Sequence, residues 1–523
     1  MKMYRVEYHN RDEFVLLDLM DNTICSIPNQ KRNFLHNDVI DEEGNIVFPS
    51  SYRENNFKIA GVLQFNDSKF YGRYKNKLLY SCIPHDENLP IFYVPYKPKY
   101  NFSKHMDNLY VTFELKEFET KPIGQLTEVL GSVRNLSSYY LYELHAKNLW
   151  FQPKKISLSE QEITQRINTC YEQVVKDRSQ THEVFTIDPK GCKDYDDAFS
   201  FKNNIVSIYI SNVPVILEVL GMTLELTNQV SSIYLPNTTR NMLPKQLAES
   251  LCSLVADGTK KLVFYMDIFP DETVQFGTCW VQISKNFAYE DDSLLQYDSY
   301  QKLFGYAKEK SARPIVDSHN VVEFFMIFMN HECSVTLKNG IYRSTVTNTL
   351  NFSLYDYFGE YSLEKSFHDA LELDSYGHFT SPIRRIVDII NLILLQAQLG
   401  LFYFRKDSIK WCEAWKEKIQ YLNESCRAIR KMEQNSFWLH EFEILKGHGY
   451  NYIANQAAEV IHKENVQPNL WKYTVFLKEK KKVMTMKTFL HHFKVGEVLK
   501  CYLYYFENED GIKKKIRLQI SEL

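Results

Sequence analysis

The chain has 523 residues, with 62 Lys and Arg against 65 Asp and Glu, so its formal net charge is −3. A hydrophobic content of 44% and a charged content of 24% indicate an ordinary soluble globular protein that is long enough for several domains. Ten cysteines without a C-x-x-C pair exclude a disulfide scaffold, a zinc ribbon and a thioredoxin-type site. They indicate free thiols in a reducing compartment.

The N-terminal residues 1–7 lack the apolar stretch of a secretory signal. The most apolar window, residues 386–404, carries Asp388 and Asn391 and therefore predicts a buried helix rather than a membrane span. We expect an intracellular, cytoplasmic protein without a membrane partner.

Residues 1–80 alternate short β-type runs with turn clusters, which is typical of a small β-barrel. Examples of such runs are residues 12–17, 44–48 and 58–63. A second small domain is expected from about residue 88 to residue 150, followed by a helix with polar faces between residues 156 and 176.

A group of four aspartates with the spacing D-x5-D-x-D-D follows an apolar, β-branched run; its members are Asp188, Asp194, Asp196 and Asp197. The run predicts a strand, and the Pro189-Lys-Gly191 turn lets Asp188 face the other three carboxylates. Like charges this close repel unless a cation lies among them, and carboxylates suit Mg²⁺, with Mn²⁺ as a substitute. The spacing alone leaves open a solvated acidic turn, but Ala198 excludes an EF-hand loop.

Residues 408–445 place Trp411, Trp415, Ile419 and Leu422 at helical spacing, which predicts an amphipathic helix with an aromatic core face. After about residue 450 the pattern returns to strands. Residues 471–523 hold 12 Lys and Arg against 6 Asp and Glu, a local excess of positive charge. A basic, aromatic-rich barrel is suited to a single-stranded nucleic acid, although a solvated hairpin also explains the lysine run at residues 480–482.

Three further motifs follow the aspartate group. Residues 234–254 contain YLP, MLP and LCSL, residues 323–330 read EFFMIFMN, and residues 376–388 read YGHFTSPIRRIVD. Together with the aspartates, these motifs resemble the RNB family, the RNase II-type 3′→5′ exoribonucleases, in the family's order. The resemblance is strong over about residues 165–430 and weaker in the flanks.

The chain departs from the family pattern at four positions. Tyr209 and Asn212 stand where the family has a histidine and an aspartate, Ile386 replaces a tyrosine, and Leu392 replaces a histidine. The resemblance therefore identifies a divergent member. The aspartate group and the two adjacent arginines of the last motif are retained, which favours an intact active site.

The resemblance implies a multidomain α+β fold in which a central α/β RNB catalytic domain is flanked by OB-type β-barrels. We expect two N-terminal cold-shock-like barrels, one C-terminal barrel, and no preceding PIN-type endonuclease domain. The expected domains are residues 1–85, 86–155, 156–449 and 450–523. RNA would thread between the barrels into a buried chamber.

The resemblance also assigns roles to the site residues. The four aspartates would hold one or two Mg²⁺ ions that activate a water and stabilise the departing 3′ oxygen. Asp196 is expected to be indispensable for chemistry but not for RNA binding. Arg384 would contact the scissile phosphate, near a helix N-terminus indicated by Pro382.

Four substrate contacts are expected as well. Tyr234 would stack near the RNA 3′ end, and Glu323 would accept a hydrogen bond from the terminal ribose. The alternative for Tyr234 is a position in the hydrophobic core.

Arg343 is a weaker candidate, because Thr345 stands at the family's following histidine position. The resemblance supports Arg385 less than Arg384, and an ion pair to Asp388 is the simpler explanation for either of these two arginines.

The predicted function is a Mg²⁺-dependent, processive 3′→5′ hydrolytic exoribonuclease that degrades single-stranded RNA to nucleoside 5′-monophosphates. One alternative is a catalytically silent RNB scaffold that binds RNA or a partner protein. Another is a nuclease of other polarity or substrate, such as DNA. The family suggests a monomer, and the sequence leaves open any helicase or adaptor protein.

Overall fold

The computed structural model describes residues 2–25, 33–65, 69–97, 106–156, 158–171, 176–346, 358–447, 452–480, 482–489 and 492–520. The chain divides into two compact units. The first consists of Met1–Trp150, Leu235–Asn237 and Arg430–Leu523, and the second of Phe151–Tyr234 and Thr238–Ile429.

The first sheet has five antiparallel strands in the order β3-β2-β1-β4-β5. They are β1 (Met3–Tyr8), β2 (Phe14–Asp18), β3 (Ile24–Cys25), β4 (Val39–Asp41) and β5 (Ile46–Phe48). Asn37, before β4, has φ of 68°, a left-handed conformation that asparagine tolerates better than most residues. The next residue, Asp38, is fully buried and pairs with Arg53 at 2.9 Å.

The second sheet closes into a barrel. Its strands are β6 (Ile59–Leu63), β7 (Arg73–Tyr74), β8 (Lys77–Pro84), β9 (Phe92–Tyr96), β10 (Leu109–Phe118) and β11 (Pro122–Ser132). Their order is β6-β10-β11-β9-β8-β7, and the additional pairing of β6 with β8 closes the ring. With β9 and β11 parallel, this is the arrangement of a five-stranded OB-type barrel. Helix α1 (Leu136–Ala146) follows, capped by the Asn135 side chain.

The second unit is built around another closed barrel, preceded by helix α2 (Glu160–Tyr171). The elements that follow are β12 (Lys176–Asp177), β13 (Val184–Asp188), β14 (Asp197–Lys202), β15 (Ile205–Ser211), α3 (Val213–Leu220), β16 (Ile233–Leu235), β17 (Thr238–Arg240), β18 (Lys260–Ile268) and β19 (Val274–Ala288). The sheet order is β12-β19-β13-β14-β15-β18, and β19 also pairs with β18. Strands β13 and β18 are nearly continuous buried runs, since both of their faces are covered.

Helices follow the barrel in the chain. They are α4 (Asp292–Leu295), α5 (Asp298–Lys310), α6 (Ser318–Thr336), then, after β20 (Tyr342–Val346) and β21 (Phe358–Ser362), α7 (Ile386–Gln398), α8 (Lys406–Glu417) and α9 (Ile419–Gly447). Residues of α4, α5, α6 and α7 pack on the barrel to form the core. Phe199 of β14 lies against Phe325 of α6, with ring centres 5.7 Å apart. Helix α7 is almost wholly buried, which confirms the expectation of a buried helix there. In the part of the chain that the structure describes, no helix has the length and apolar character needed to cross a membrane.

The region predicted as one helix, residues 408–445, forms two helices, α8 and α9, because the helical conformation is interrupted between Glu417 and Ile419. The aromatic stripe is core packing as expected: the indole N–H groups of Trp411 and Trp415 both donate to the Leu226 carbonyl, at 3.0 and 3.2 Å.

The last sheet belongs to the first unit. Its antiparallel strands are β22 (Tyr452–Gln467), β23 (Leu470–Leu477), β24 (Lys482–Thr488), β25 (Val498–Glu507) and β26 (Lys514–Ile520), in the order β24-β23-β22-β25-β26. The Tyr110 hydroxyl of the second sheet donates to the Gly511 carbonyl at 2.6 Å. The Tyr139 hydroxyl of α1 accepts from the Lys514 N–H at 3.1 Å, so the early and late parts of this unit are joined.

The expected fold class, multidomain α+β with OB-type barrels and a central α/β domain, is confirmed. The domain limits themselves stay a prediction. Strands β6 and β8, which precede residue 86, pair within one sheet with β9–β11, which follow it.

One buried polar pair joins two elements of the second unit. The amides of Asn212, which precedes α3, and Gln396, in α7, exchange hydrogen bonds of 2.9 and 3.1 Å, and both residues are fully buried. Because either partner alone would be left unsatisfied, Asn212→Leu should lower the free energy of unfolding by about 2 kcal/mol. Urea unfolding followed by tryptophan fluorescence measures this. The double variant Asn212→Leu/Gln396→Met should regain most of the loss, and equal midpoints for the single variant and the parent would contradict the pair's importance.

Candidate active site

The aspartate group is positioned by two neighbouring strands and the loop between them. Strand β13 ends at Asp188 and strand β14 begins at Asp197, and the two strands pair antiparallel. The loop turns at Gly191, whose φ of 84° is accessible to glycine at little cost. The predicted strand and turn are therefore present, and the loop brings all four carboxylates to one end of the barrel.

Asp196 is the most firmly held of the four. Its side chain is 2% exposed, its Oδ1 accepts from the Ile383 N–H at 2.8 Å, and its Oδ2 accepts from Arg384 Nε at 3.0 Å. Burial raises the pKa of this carboxyl to about 7 despite the opposing charge of Arg384. Both oxygens are thus occupied by donors from the YGHFTSPIRRIVD segment.

Asp188 and Asp197 differ from Asp196 in that each has one carboxylate oxygen that is not hydrogen-bonded within the described part of the structure. Among the described residues, Oδ2 of Asp188 and Oδ2 of Asp197 are buried and have no hydrogen-bond partner. Burial raises the pKa of Asp188 to about 6 and also raises the pKa of Asp197, to which the charge of Asp188 contributes. Unpaired buried carboxylate oxygens are costly unless a cation or a proton meets them.

Asp194 has a different partner. The Tyr234 hydroxyl donates to its Oδ2 at 2.5 Å, and the Tyr234 ring remains 40% exposed. Cys192 lies between two carboxylates, with Sγ 3.9 Å from Asp188 Oδ1 and 3.7 Å from Asp194 Oδ1. Burial, reinforced by those charges, raises the pKa of the Cys192 thiol to about 12, which favours its protonated form.

The two arginines of the last motif have separate positions. Arg384 also donates from Nη2 to Ser381 Oγ at 3.1 Å, and 46% of its side chain is exposed. Arg385 forms an ion pair with Asp388, with Nε 2.9 Å from Oδ2, and Asp388 is fully buried. Helix α7 begins at Ile386, so both arginines precede its N-terminus, whereas Pro382 lies in the turn before it.

A cavity of about 1190 Å³ opens above the aspartates, within the second unit. The predicted residues that line it are Asp188, Asp194, Asp196, Asp197, Tyr234, Glu323 and Arg384. Arg385 is not among the lining residues, nor is Arg343, whose guanidinium lies 5.3 Å from the centre of the Tyr361 ring. The cavity thus joins all three further sequence motifs with the aspartates, and it separates two of the candidate substrate contacts, Arg343 and Arg385, from them.

Arg240, Tyr289 and His319 are among the lining residues that the sequence analysis did not single out. Arg240 lies in the hairpin after Tyr234, and the rings of Tyr289 and His319 stack with centres 3.8 Å apart and planes 12° apart. A signal existed for His319, which lies one helical turn before Glu323 on α6. Tyr289 directly follows β19 after Ala288, and pairing of β19 with β13 brings it beside Asp188.

The donor set fits a divalent cation. In the described residues no three His, Cys, Asp or Glu side chains already form a closed ligand group. Mg²⁺ does not require one, because it keeps several waters and is held by one or two carboxylates together with substrate phosphates. Asp188 and Asp197 provide the free oxygens for such an open site.

The four departures from the family pattern lie away from the cavity. Tyr209, Asn212, Ile386 and Leu392 are all fully buried, and none of them lines the cavity. Tyr209 hydrogen-bonds through its hydroxyl to Ser200 at 2.9 Å, and Asn212 pairs with Gln396. These substitutions change the packing of the second unit rather than the wall of the candidate site.

Comparison with known proteins places this site in a defined domain. Residues 176–298 and 326–400 match the model of the RNB domain. The matched segments contain all four aspartates, Tyr234 and Arg384.

Curated relatives are ribonucleases of one type. Ribonuclease R of Mycoplasmopsis pulmonis is 36% identical over 93 residues, which are 17% of this chain and 13% of that protein. Ribonuclease R of Helicobacter pylori is 23% identical over 390 residues, which are 55% of this chain and 60% of that protein. The matches thus cover less than two thirds of the length of these relatives.

Solved structures share the fold over nearly the whole chain. Mycoplasma genitalium RNase R in complex with ribose methylated single-stranded RNA matches with a TM-score of 0.66 and 14% identity, covering 99% of this chain and all of that chain. Yeast Ssd1, described as a pseudonuclease, matches with a TM-score of 0.57 and 14% identity, covering 91% of this chain and 71% of that chain. At these identities the likeness shows the fold alone, and that fold occurs with and without nuclease activity.

The raised carboxyl pKa values predict that the stability of the metal-free protein depends on pH. Because the folded state favours the neutral carboxyl, stability in EDTA should fall as the pH rises from about 4 to about 7, through the values of Asp188 and Asp196. Asp197→Asn removes one of the buried carboxyls whose ionised form the folded state disfavours, and a gain of about 1–2 kcal/mol in the free energy of unfolding would raise the melting temperature by roughly 2–8 °C at neutral pH.

Differential scanning fluorimetry in EDTA at several pH values checks this prediction. Asp298→Asn, at an exposed position in the first turn of α5, is the matched control and should melt like the parent. A melting temperature of Asp197→Asn at or below that of the parent at neutral pH would contradict it.

Proposed function

We propose that this chain, whose residues 176–298 and 326–400 match the RNB domain, is a Mg²⁺-dependent, processive 3′→5′ hydrolytic exoribonuclease acting on single-stranded RNA. Its products would be nucleoside 5′-monophosphates. The observation that carries the proposal is the pair of unpartnered oxygens of Asp188 and Asp197 at the base of a cavity that also holds Arg384.

The aspartates have distinct parts in this proposal. Asp188 and Asp197 would hold a divalent cation, with Asp194 beside them, and the bound metal would supply an activated water and charge stabilisation for phosphodiester hydrolysis. Asp196 keeps the Arg384 guanidinium directed at the cavity through its 3.0 Å ion pair. The exposed part of Arg384 can meet charge on the scissile phosphate, since a guanidinium pairs with two phosphate oxygens at once.

Substrate contacts follow from exposure within the cavity. The Tyr234 ring is exposed while its hydroxyl is held by Asp194, so a base can stack on a ring of fixed orientation. Stacking accepts any base and is compatible with degradation independent of sequence. Glu323 is exposed in the cavity wall and can accept from a ribose 2′-OH, which would distinguish RNA from DNA.

A second candidate function is a catalytically silent RNB scaffold that binds RNA or a partner protein. Two observations favour it: Asp194 and Asp196 are already bonded to protein donors, and the fold is shared with the pseudonuclease Ssd1. The position of all four sequence departures outside the cavity favours the enzyme instead.

The central test is degradation of a 5′-labelled single-stranded RNA on a denaturing gel, with Mg²⁺ and with EDTA. The parent with Mg²⁺ should produce a short limit product without intermediates, whereas Asp196→Asn should lose activity at least 100-fold and keep its RNA affinity. Asp298→Asn serves as the control and should act like the parent. Intact RNA in every lane together with normal binding would replace the proposal by the silent scaffold.

Glu323→Gln tests recognition of the ribose. The carboxylate is expected to bind the 2′-OH more tightly than an amide does, so kcat/KM on RNA should fall roughly tenfold, corresponding to about 1.4 kcal/mol. Activity on a deoxyribo-oligonucleotide of the same sequence should be unchanged. Glu332→Gln, on the same helix but not lining the cavity, is the control. Equal activity of the parent on RNA and DNA would overturn this role for Glu323.

A further inference from the structure

The LCSL motif has no part in the proposed mechanism, yet it contacts the loop that carries the aspartates. Ser253 of this motif is fully buried, and its hydroxyl bonds to two main-chain groups of that loop. The Oγ donates to the Lys193 carbonyl at 2.8 Å and accepts from the Tyr195 N–H at 3.1 Å. The next residue, Leu254, donates from its N–H to the Tyr195 carbonyl at 2.9 Å. Ser253 and Leu254 together are called the loop brace below.

The loop needs such contacts because residues 193–196 belong to neither β13 nor β14. Asp194 and Asp196 line the cavity, whereas Tyr195 between them does not line it and packs on the barrel core with Leu254. The main chain that the loop brace binds therefore lies between two carboxylates of the candidate site.

The loop brace is itself fixed to strands β18 and β19. The side-chain amide of Asn286, in β19, donates to the Leu254 carbonyl at 2.9 Å, and its Oδ1 accepts from the Ala256 N–H at 2.7 Å. Before the brace, the Lys261 ammonium of β18 donates to the Ser250 carbonyl at 3.0 Å, and Lys261 is buried. Bonds on both sides thus hold the brace against the barrel, so that the position of these strands sets the position of the loop.

We propose that Ser253 is a positioning residue for the active site: its hydroxyl fixes the main chain at residues 193–195 so that the carboxylates of Asp194 and Asp196 face the cavity. A serine hydroxyl suits this role because it donates and accepts at the same time, and so joins a carbonyl and an N–H of one segment. Asp196 in turn pairs with Arg384 at 3.0 Å, so a shift of the loop would also move the guanidinium. Ser253 is not one of the described residues that line the cavity, and it acts through the loop.

This inference rests on the proposed function, because it assigns the support of the site that the exonuclease would use. Loss of an outer-shell hydrogen bond around a metal site typically lowers metal affinity or activity by about 10–100-fold. The alternative is a purely structural serine, whose loss would lower the stability of the fold and leave the site unchanged.

The test compares Ser253→Ala with Ser334→Ala in the full chain. Ser334, in α6, is a matched control because it is also fully buried and its hydroxyl donates to the His331 carbonyl at 2.8 Å. Amide hydrogen exchange in EDTA, followed by mass spectrometry, measures the loop directly. In Ser253→Ala the peptide that contains Tyr195 should exchange about 10-fold faster than in the parent, because the Tyr195 N–H loses its acceptor. In Ser334→Ala that peptide should exchange as in the parent.

Two further measurements report on the site. Binding of Mn²⁺ without RNA, measured by electron paramagnetic resonance, should be about 10-fold weaker in Ser253→Ala. With Mg²⁺, the rate at saturating RNA should fall by about 10–100-fold, while the KM for RNA stays near that of the parent. Ser253→Cys keeps the shape of the side chain but forms weak hydrogen bonds, so its values should lie between those of Ser253→Ala and the parent. This variant also carries the comparison if Ser253→Ala does not fold.

Three results would overturn the inference. The first is exchange of the Tyr195 peptide in Ser253→Ala at the parent's rate, or faster exchange with unchanged Mn²⁺ affinity and unchanged rate. The second is an equal effect of Ser253→Ala and Ser334→Ala on the site, which would indicate a general loss of stability. The third is a Ser253→Cys variant that equals the parent, because packing rather than hydrogen bonding would then position the loop.

The two proposals fail separately. If the parent does not hydrolyse RNA in Mg²⁺, the exonuclease is refuted, while hydrogen exchange and Mn²⁺ binding still decide the role of Ser253. If the parent hydrolyses RNA and Ser253→Ala does so at the parent's rate, the role of Ser253 is refuted and the exonuclease stands.

Discussion

The second unit depends on holding four carboxylates together at the end of a closed barrel. Removing charged groups from water costs free energy, and placing them beside one another adds repulsion. The four carboxylates are stabilised to different extents. Asp196 and Asp194 accept hydrogen bonds from the protein, while Asp188 and Asp197 each have a buried oxygen without a partner among the described residues. The unpaired oxygens lower the stability of the fold at the place where a cation would be bound, as is common at functional sites.

In the turn at residues 381–385, two neighbouring arginines have different roles. Arg384 bonds to Asp196 and remains half exposed in the cavity wall, whereas Arg385 neutralises the fully buried Asp388. The main-chain N–H of Ile383 also bonds to Asp196, so one short turn both orients the carboxylate and presents a cation beside it. The segment before α7 therefore couples the packing of that helix to the geometry of the site.

The departures from the family pattern are compensated inside the second unit. Asn212 finds an amide partner in Gln396, and Tyr209 finds Ser200, so the substituted polar groups are satisfied where they are buried. The cavity wall contains the carboxylates and the arginine that the proposed hydrolysis would use. Because RNase R and a pseudonuclease share this fold, the fold does not distinguish an enzyme from a silent scaffold. The arrangement of residues in the cavity wall is the stronger argument for the enzyme.

The sequence by itself determined the aspartate motif, its strand and turn, the buried helix α7 and the core role of Trp411 and Trp415, because these depend on spacing and local hydrophobic pattern. The resemblance of its motifs to the RNB family indicated Arg384, Tyr234 and Glu323, which the structure brings into one cavity. Only the tertiary structure decided that Arg385 and Arg343 lie outside that cavity, and that Tyr289, His319 and Arg240 line it. Contacts between residues far apart in the chain follow from strand pairing and helix packing, and no local pattern encodes them.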